Sequence, residues 1–281
     1  MNEQKPISGC GVGLRSPHID EILKTQPDVP WFELLADNHM ASGGAIPAQI
    51  EMIRDRYPVT LHSVGLSLGS VDPLNWAYLK QLKLLAQRAD AAWISEHLCF
   101  TSVDGIFSHD LLPLPYTDES LRHMVDRIRQ VQDFFQSRIL IENVSSYIRF
   151  ADSQIPEDEF LCAVAEQADC WLLVDVNNIF VNQINHGLNG DEYIDRLPLQ
   201  RIREIHLAGY EDKGNYLLDT HNRAVSDPVW RLYERLIRRR SDIPSLIEWD
   251  NDIPPFSVLI DEARRASAIV EAIGLENSLC N

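Results

Sequence analysis

The chain has 281 residues, with 42 Asp and Glu against 25 Lys and Arg and a formal charge of −17. That length supplies a hydrophobic core without disulfide or metal staples, and 45% hydrophobic with 24% charged residues excludes a disordered chain. The acidic balance also excludes a nucleic-acid phosphate surface, which requires clustered Lys and Arg to displace counterions.

Five scattered cysteines (Cys10, Cys99, Cys162, Cys170 and Cys280) form no C-x-x-C pair. They favour a reducing compartment over a disulfide scaffold or a zinc–thiolate site. The N-terminal stretch MNEQKPISG has no apolar h-region, and no run reaches the roughly eighteen apolar residues of a membrane span. The expectation is a cytoplasmic protein without a membrane partner.

In chain order, residues 9–14 (GCGVGL) read as the first strand, with Ser16 as N-cap and Pro17 as first residue of the following helix. Strands follow at 31–37, 59–65 and 91–100. Segment 118–135 then places Leu121, Met124, Val125, Ile128, Val131 and Phe135 on one helical face. Further strands are expected at 139–145, 171–178 and 203–210. Asp227-Pro228 opens a helix over 228–240. A last strand at 245–250 precedes a helix over 256–273 carrying Val258, Ile260, Ala263, Ile269 and Ile273. The strand runs are continuously apolar rather than alternating, as parallel strands under a layer of helices must be. Eight strands, eight following helices and no composition break predict one (β/α)8 TIM-barrel domain over residues 1–281; a doubly wound open sheet is the alternative.

Polar residues interrupt these strands at corresponding places. Glu33, His62, His97, Glu142, Asp175, His206 and Glu248 each fall in a different run, towards its C-terminal half, and successive ones lie 29 to 45 residues apart, about one βα unit. A closed barrel directs them to the C-terminal face, where barrel enzymes keep their chemistry. A single strand histidine or glutamate is ordinarily a hydrogen-bonded core group. Seven together are too costly to bury without a cation. Imidazole and carboxylate with no thiolate suit Fe, Mn or Zn. Asp219-Thr220-His221, after the seventh strand, offers a further carboxylate–imidazole pair or an ordinary polar loop. Asn178 offers an amide oxygen to a metal or a cap to the next turn. Barrel order divides the candidates into His62, His97 and Glu142; Asp175, His206 and Glu248; and Asn178, Asp219 and His221, with Glu142 and Glu248 able to bridge ions.

Ten ordered segments then carry a resemblance: GVGLR (11–15) with His18, WFELLADN (31–38), LHSVGLSLG (61–69), SEHLCF (95–100), HDLLPLPYT (109–117), IENVSSY (141–147), DVNNIFVN (175–182), IHLAGY (205–210), DTHNRAV (219–225) and IEWD (247–250). Over nearly its whole length the chain resembles the multinuclear non-haem iron-dependent oxidative enzymes, the MbnB/TglH group. The resemblance implies a xylose-isomerase-like barrel holding two or three irons, mixed Fe(II) and Fe(III). Their ligands would be His62, His97, Glu142, Asp175, His206, Asp219, His221 and Glu248, with Asn178 near a third, more variable ion. It further implies O2 as co-substrate, oxidation of a cysteine in a ribosomally made precursor peptide for natural-product biosynthesis, and a partner protein that presents the peptide.

His18, Glu33, Asn38, Asn143 and Asp250 are candidates for orienting ligands or substrate, or else for strand-end and cap chemistry. His109-Asp110 reads as a lid or a proline-anchored loop, and His186 as solvent-facing or functional. The Arg235–Arg240 run reads as a solvated helix face rather than a docking patch, and His39 and His123 as surface residues. The competing function is a divalent-metal hydrolase or isomerase acting on a sugar or phosphoester. The net charge weighs against a DNA-directed version. Lys5, Lys24, Lys80, Lys83 and Lys213 all lie outside the expected strands, which weakens a sugar isomerase. A metal-binding scaffold without catalysis fits poorly with so complete a ligand set.

Overall fold

The computed structural model describes residues 6–40 and 43–279; Lys5 and Cys280 lie outside them. The chain runs β1 (Cys10–Leu14), α1 (Ile19–Thr25), β2 (Phe32–Leu35), α2 (Ile46–Arg54), β3 (Val59–His62), α3 (Trp76–Ala89) and β4 (Ile94–His97). A hairpin of β5 (Phe100–Val103) and β6 (Ile106–Leu112) follows, then α4 (Asp118–Phe135), β7 (Leu140–Glu142), α5 (Glu157–Gln167), β8 (Trp171–Asp175), α6 (Val176–His186) and α7 (Gly190–Arg196). Next come β9 (Ile202–Leu207), a second hairpin of β10 (Tyr210–Asp212) and β11 (Leu217–Asp219), α8 (Asp227–Arg239), β12 (Ser245–Ile247) and α9 (Phe256–Leu279).

Eight parallel strands close a barrel in the order β1-β12-β9-β8-β7-β4-β3-β2. Because β1 pairs with both β2 and β12, the sheet has no edge, and the open-sheet alternative is excluded. The apolar stripes predicted from the sequence explain how the helices cover it. On α4, Leu121, Met124, Val125, Ile128 and Val131 are buried, each contributing about 1.5–3 kcal/mol of burial. Thr117 caps this helix by accepting the Ser120 N–H at 3.2 Å. Among the described residues no helix is long and apolar enough to cross a membrane.

Several expectations are corrected. Ser16 caps nothing: Arg15 holds the N-cap position of a 3-10 turn, Ser16–His18, that precedes α1. His39 is 2% exposed rather than superficial, because its N–H closes the Ala36–Asn38 turn on the Ala36 carbonyl and folds it back. His123 is half-buried, with Nε2 2.8 Å from the Ser70 carbonyl. The segment after β4 is a hairpin, not a loop, and so is the one after β9. The Arg235–Arg240 run, by contrast, is the solvated face expected, with guanidiniums paired locally: Arg235 with Asp195, Arg238 with Glu234 and Glu276, and Arg240 with Asp242.

Strand register sets the level of each polar residue. His97 stands opposite Glu142, Asp175 opposite His206, and His62 beside Leu35 at the end of β2. Glu33 is opposite Thr60, two residues before His62. It therefore lies one layer deeper in the lumen than the sequence pattern implied.

Candidate metal centre

His62 and His97 end adjacent strands and are fixed from behind. His62 Nδ1 lies 2.8 Å from Ser95 Oγ, whose hydroxyl donates to the Leu61 carbonyl at 3.3 Å. Ser95 therefore accepts from His62 Nδ1–H, leaving a lone pair on Nε2. His97 Nδ1 is 3.3 Å from Glu96 Oε1, a carboxylate oxygen that can only accept while ionised. The two Nε2 atoms then meet at 3.2 Å, and Glu142 Oε2 stands 3.4 and 3.2 Å from them. Three electron-rich atoms converging among buried side chains repel one another unless a proton or a cation sits between them.

Glu142 faces two ways. Its Oε2 completes the His62–His97 group, while Oε1 is 3.8 Å from His206 Nδ1. Within one group of donors, Glu142, Asp175, His206 and Glu248 each place an atom within 4.8 Å of all the others. Glu248 Oε2 reaches His206 Nδ1 at 2.9 Å and His221 Nδ1 at 3.2 Å. Asp175 caps α6, accepting the Asn178 N–H at 2.6 Å on Oδ1. The cap leaves Oδ2 without a partner. Asp175 thus takes the capping role that the sequence left open for Asn178, whose own Nδ2 donates to the Asn143 carbonyl at 3.1 Å while Oδ1 is unpartnered.

The third group differs from the expected one. His221 clusters with Glu248 and Asp250, while Asp219 sits to one side, with Oδ1 2.7 Å from His221 Nε2. Asn177 Nδ2 and Ser145 Oγ donate to Asp219 at 2.8 and 3.0 Å. A positive φ of 44° at His221 turns its ring back towards β12.

Burial and crowding dominate the electrostatics. Burial pushes the Glu142 and Asp175 carboxyls upward, and Asp175 adds to the shift at Glu142 as Asp219 does at Asp175. Burial opposes charge on His97, yet Glu142 and Glu96 outweigh it and raise its pKa to about 9. Burial likewise opposes charge on His221, but Asp219 and Glu248 raise it. His62 goes the other way: burial and the neighbouring His97 lower it. Glu142 Oε2, Asp175 Oδ2 and Asn178 Oδ1 are buried without a hydrogen-bond partner, and His206 Nδ1 and His221 Nε2, though close to Glu248 and Asp219, are not in hydrogen-bond alignment with them. This donor set fits divalent or trivalent cations, which would satisfy those atoms together.

The orienting candidates divide. Asn143 grips the Asp175 backbone with both ends of its amide, and Asp250 accepts from the buried Arg15 at 2.5 Å. Glu33 lies beneath His206 at 3.2 Å. His18 is directed elsewhere, Nε2 2.8 Å from the Pro254 carbonyl, and Asn38 is exposed. His186 is half-buried against Ser146 Oγ at 2.7 Å. Arg15, Ser95, Glu96, Glu204 and Asn177 do not stand out in the sequence; for Ser95 and Glu96, adjacency to His97 is the available signal.

A cavity of about 630 Å³ opens above these groups. Its wall is β6, where Phe107, His109, Asp110 and Leu111 face the histidines and carboxylates. The hairpin is braced: Ser67 Oγ accepts the Thr101 and Ser102 N–H groups at 2.8 and 3.2 Å, and Asp72 accepts those of Asp104 and Gly105 at 3.0 and 3.1 Å.

Residues 9–271 match a family model described as RiPP precursor modification enzyme MbnB/TglH/ChrH. A UPF0276 protein of Acaryochloris marina is 51% identical over 261 residues, covering 92% of this chain and 94% of its own. One of Anaeromyxobacter sp. is also 51% identical, covering 96% and 95%. Among solved structures, a xylose isomerase domain containing protein of Salmonella typhimurium superimposes with a TM-score of 0.66 at 15% identity, covering 96% and 99%. An L-ribulose 3-epimerase does so with 0.65 at 12%, covering 98% of each chain. At such identities these two establish a shared barrel fold.

Proposed function

Because the chain belongs to the MbnB/TglH/ChrH family of RiPP precursor modification enzymes, we propose that it is a multinuclear iron enzyme using O2 to oxidise cysteine in a ribosomally made precursor peptide. The observation that carries the metal reading is the convergence of His62 Nε2, His97 Nε2 and Glu142 Oε2 within 3.4 Å. His62, His97 and Glu142 would hold one ion, and Asp175, His206 and Glu248 a second shared through Glu142. His221 and Asp219, which line the same cavity as Asn178, would serve a third. Bound iron supplies electrons for O2 and a Lewis-acidic position for a thiolate.

The chain's own residues do the positioning. Asn143 fixes the Asp175 backbone, Ser95 and Glu96 fix the ring orientations of His62 and His97, and Arg15 offsets the charge of Glu248 and Asp250. Phe107 and Leu111 give the cavity an apolar wall that limits water around a bound peptide. A partner protein that presents the peptide, and a cytoplasmic setting where such peptides are made, complete the proposal.

Anaerobic purification followed by metal analysis and Mössbauer spectroscopy tests it. Two or three irons per chain, including an Fe(II)/Fe(III) pair, together with O2 consumption on adding a cysteine-containing peptide encoded beside the gene, are expected. Zinc or manganese alone from iron-replete cells would sink the proposal.

A further inference from the structure

His206 sits the opposite way round from its two histidine neighbours. His62 and His97 turn Nε2 towards the metal groups, but His206 turns Nδ1 towards them, 2.9 Å from Glu248 and 3.8 Å from Glu142. Its Nε2 points down the lumen, 3.2 Å from Glu33 Oε1 and 3.6 Å from Glu204 Oε1. Glu204 precedes His206 by two residues on β9, so both side chains enter the barrel from the same face. Glu33 reaches the same point from β2, on the far side of β12 and β1. Trp93, just before β4 and across the lumen, donates its indole N–H to Glu204 Oε2 at 2.5 Å.

Such a layer is expensive. Barrel interiors are ordinarily filled by branched aliphatic side chains, yet Glu33 is 1% and Glu204 0% exposed. Glu33 Oε2, Glu204 Oε1 and His206 Nε2 have no hydrogen-bond partner, so the imidazole meets the two carboxylates at ion-pair distance rather than through an aligned hydrogen bond. A metal-ligating imidazole usually hands its second N–H to a carboxylate, which fixes both tautomer and ring plane.

We infer that Glu33 and Glu204 are positioning residues that keep His206 protonated on Nε2 and so make Nδ1 the atom it offers to the central cation, with Trp93 holding Glu204 in place. This inference rests on the metal centre proposed above and adds the donor atom and its supporting layer. Both carboxylates contribute, in different ways. Glu204 is anchored by Trp93, and Glu33 approaches Nε2 more closely.

The test uses the full-length protein reconstituted anaerobically with Fe(II), and separately with Zn(II) for NMR. In the zinc-loaded wild type, long-range ¹H–¹⁵N histidine spectra should show His206 protonated at Nε2 and metal-bound at Nδ1; the reverse pattern overturns the inference. Glu33→Gln and Glu204→Gln should each lower metal affinity by about 10- to 100-fold in chelator competition and alter the signature of one ion only. Trp93→Phe, which leaves both carboxylates in place, should give a smaller loss and keeps the test open if Glu204→Gln does not fold. If the wild type loads normally and Glu33→Gln and Trp93→Phe match it in affinity and spectrum, the positioning role is overturned while the metal centre stands. A wild type that takes up no metal overturns both.

Discussion

Asn143 holds Asp175 by its main chain: Asn143 Nδ2 donates to the Asp175 carbonyl at 2.9 Å, and Asn143 Oδ1 accepts the Asp175 N–H at 3.0 Å. The two residues lie on neighbouring strands, just beyond β7 and at the end of β8, so the amide takes over where the ladder stops. Asn143→Ala leaves two buried backbone groups unpaired at a cost of about 3 kcal/mol. It should also lower metal occupancy, because Asp175 loses its fixed direction. Denaturant melts with metal analysis on the same samples check this; a destabilised variant with unchanged metal content would show that Asn143 serves the fold alone.

Glu142 belongs to two donor groups at once. Glu142→Ala should therefore remove more than one metal equivalent per chain, whereas His97→Ala should weaken one position. Metal counting after anaerobic reconstitution separates these outcomes. Loss of at most one equivalent from Glu142→Ala would contradict a bridging role.

Asp72 holds the tip of the β5–β6 hairpin through the Asp104 and Gly105 N–H groups. Asp72→Ala should speed amide exchange across that hairpin and cost about 1–3 kcal/mol. Metal content should be unchanged, because Asp72 touches none of the donors. Peptide turnover should fall, since Phe107, His109 and Leu111 lose their fixed place in the cavity wall. Hydrogen exchange unchanged from the wild type would refute the bracing role.

Glu157, at the start of α5, is buried and accepts from Asn182 Nδ2 at 3.2 and 3.1 Å. Burial lifts its pKa from 4.5 to about 7. Between those values the folded chain binds the proton that the unfolded chain has released, so this group's contribution to stability falls as pH rises through that window. The full effect is about 3 kcal/mol. Glu157→Gln should be close to wild type in stability at pH 4 and more stable at pH 8, as read from urea melts at both values. Equal stabilities at pH 8 would overturn the assignment.

The barrel was legible because its strands are continuous apolar runs and its helices carry clear stripes, as on α4. The strand-end donors were legible for a related reason: His62, His97, Glu142 and Asp175 interrupt those runs at one barrel level. Glu204 was hidden because it lies in the same strand as His206, and one polar residue per strand was the pattern that stood out. Asp250 is an orienting candidate in the sequence, and the turn after β12 brings it to 3.2 Å from His221 Nδ1. The β5–β6 hairpin is not legible in the sequence because its strands pair through an irregular register and His109 adopts a positive φ of 55°. Alternation is lost where the backbone bulges.

Asp219 and His221 stand apart from the other donors in their origin. Asp219 ends β11 and His221 follows two residues later, so both come from an inserted hairpin, whereas His62, His97, Glu142, Asp175 and His206 are borne by the barrel strands themselves. The strand-borne donors are locked to one another by the register of a closed sheet, and none can shift alone. The hairpin carries no such obligation. Shortening the β10–β11 excursion should therefore displace the Asp219–His221 pair while leaving the strand-end cluster and the closed barrel intact.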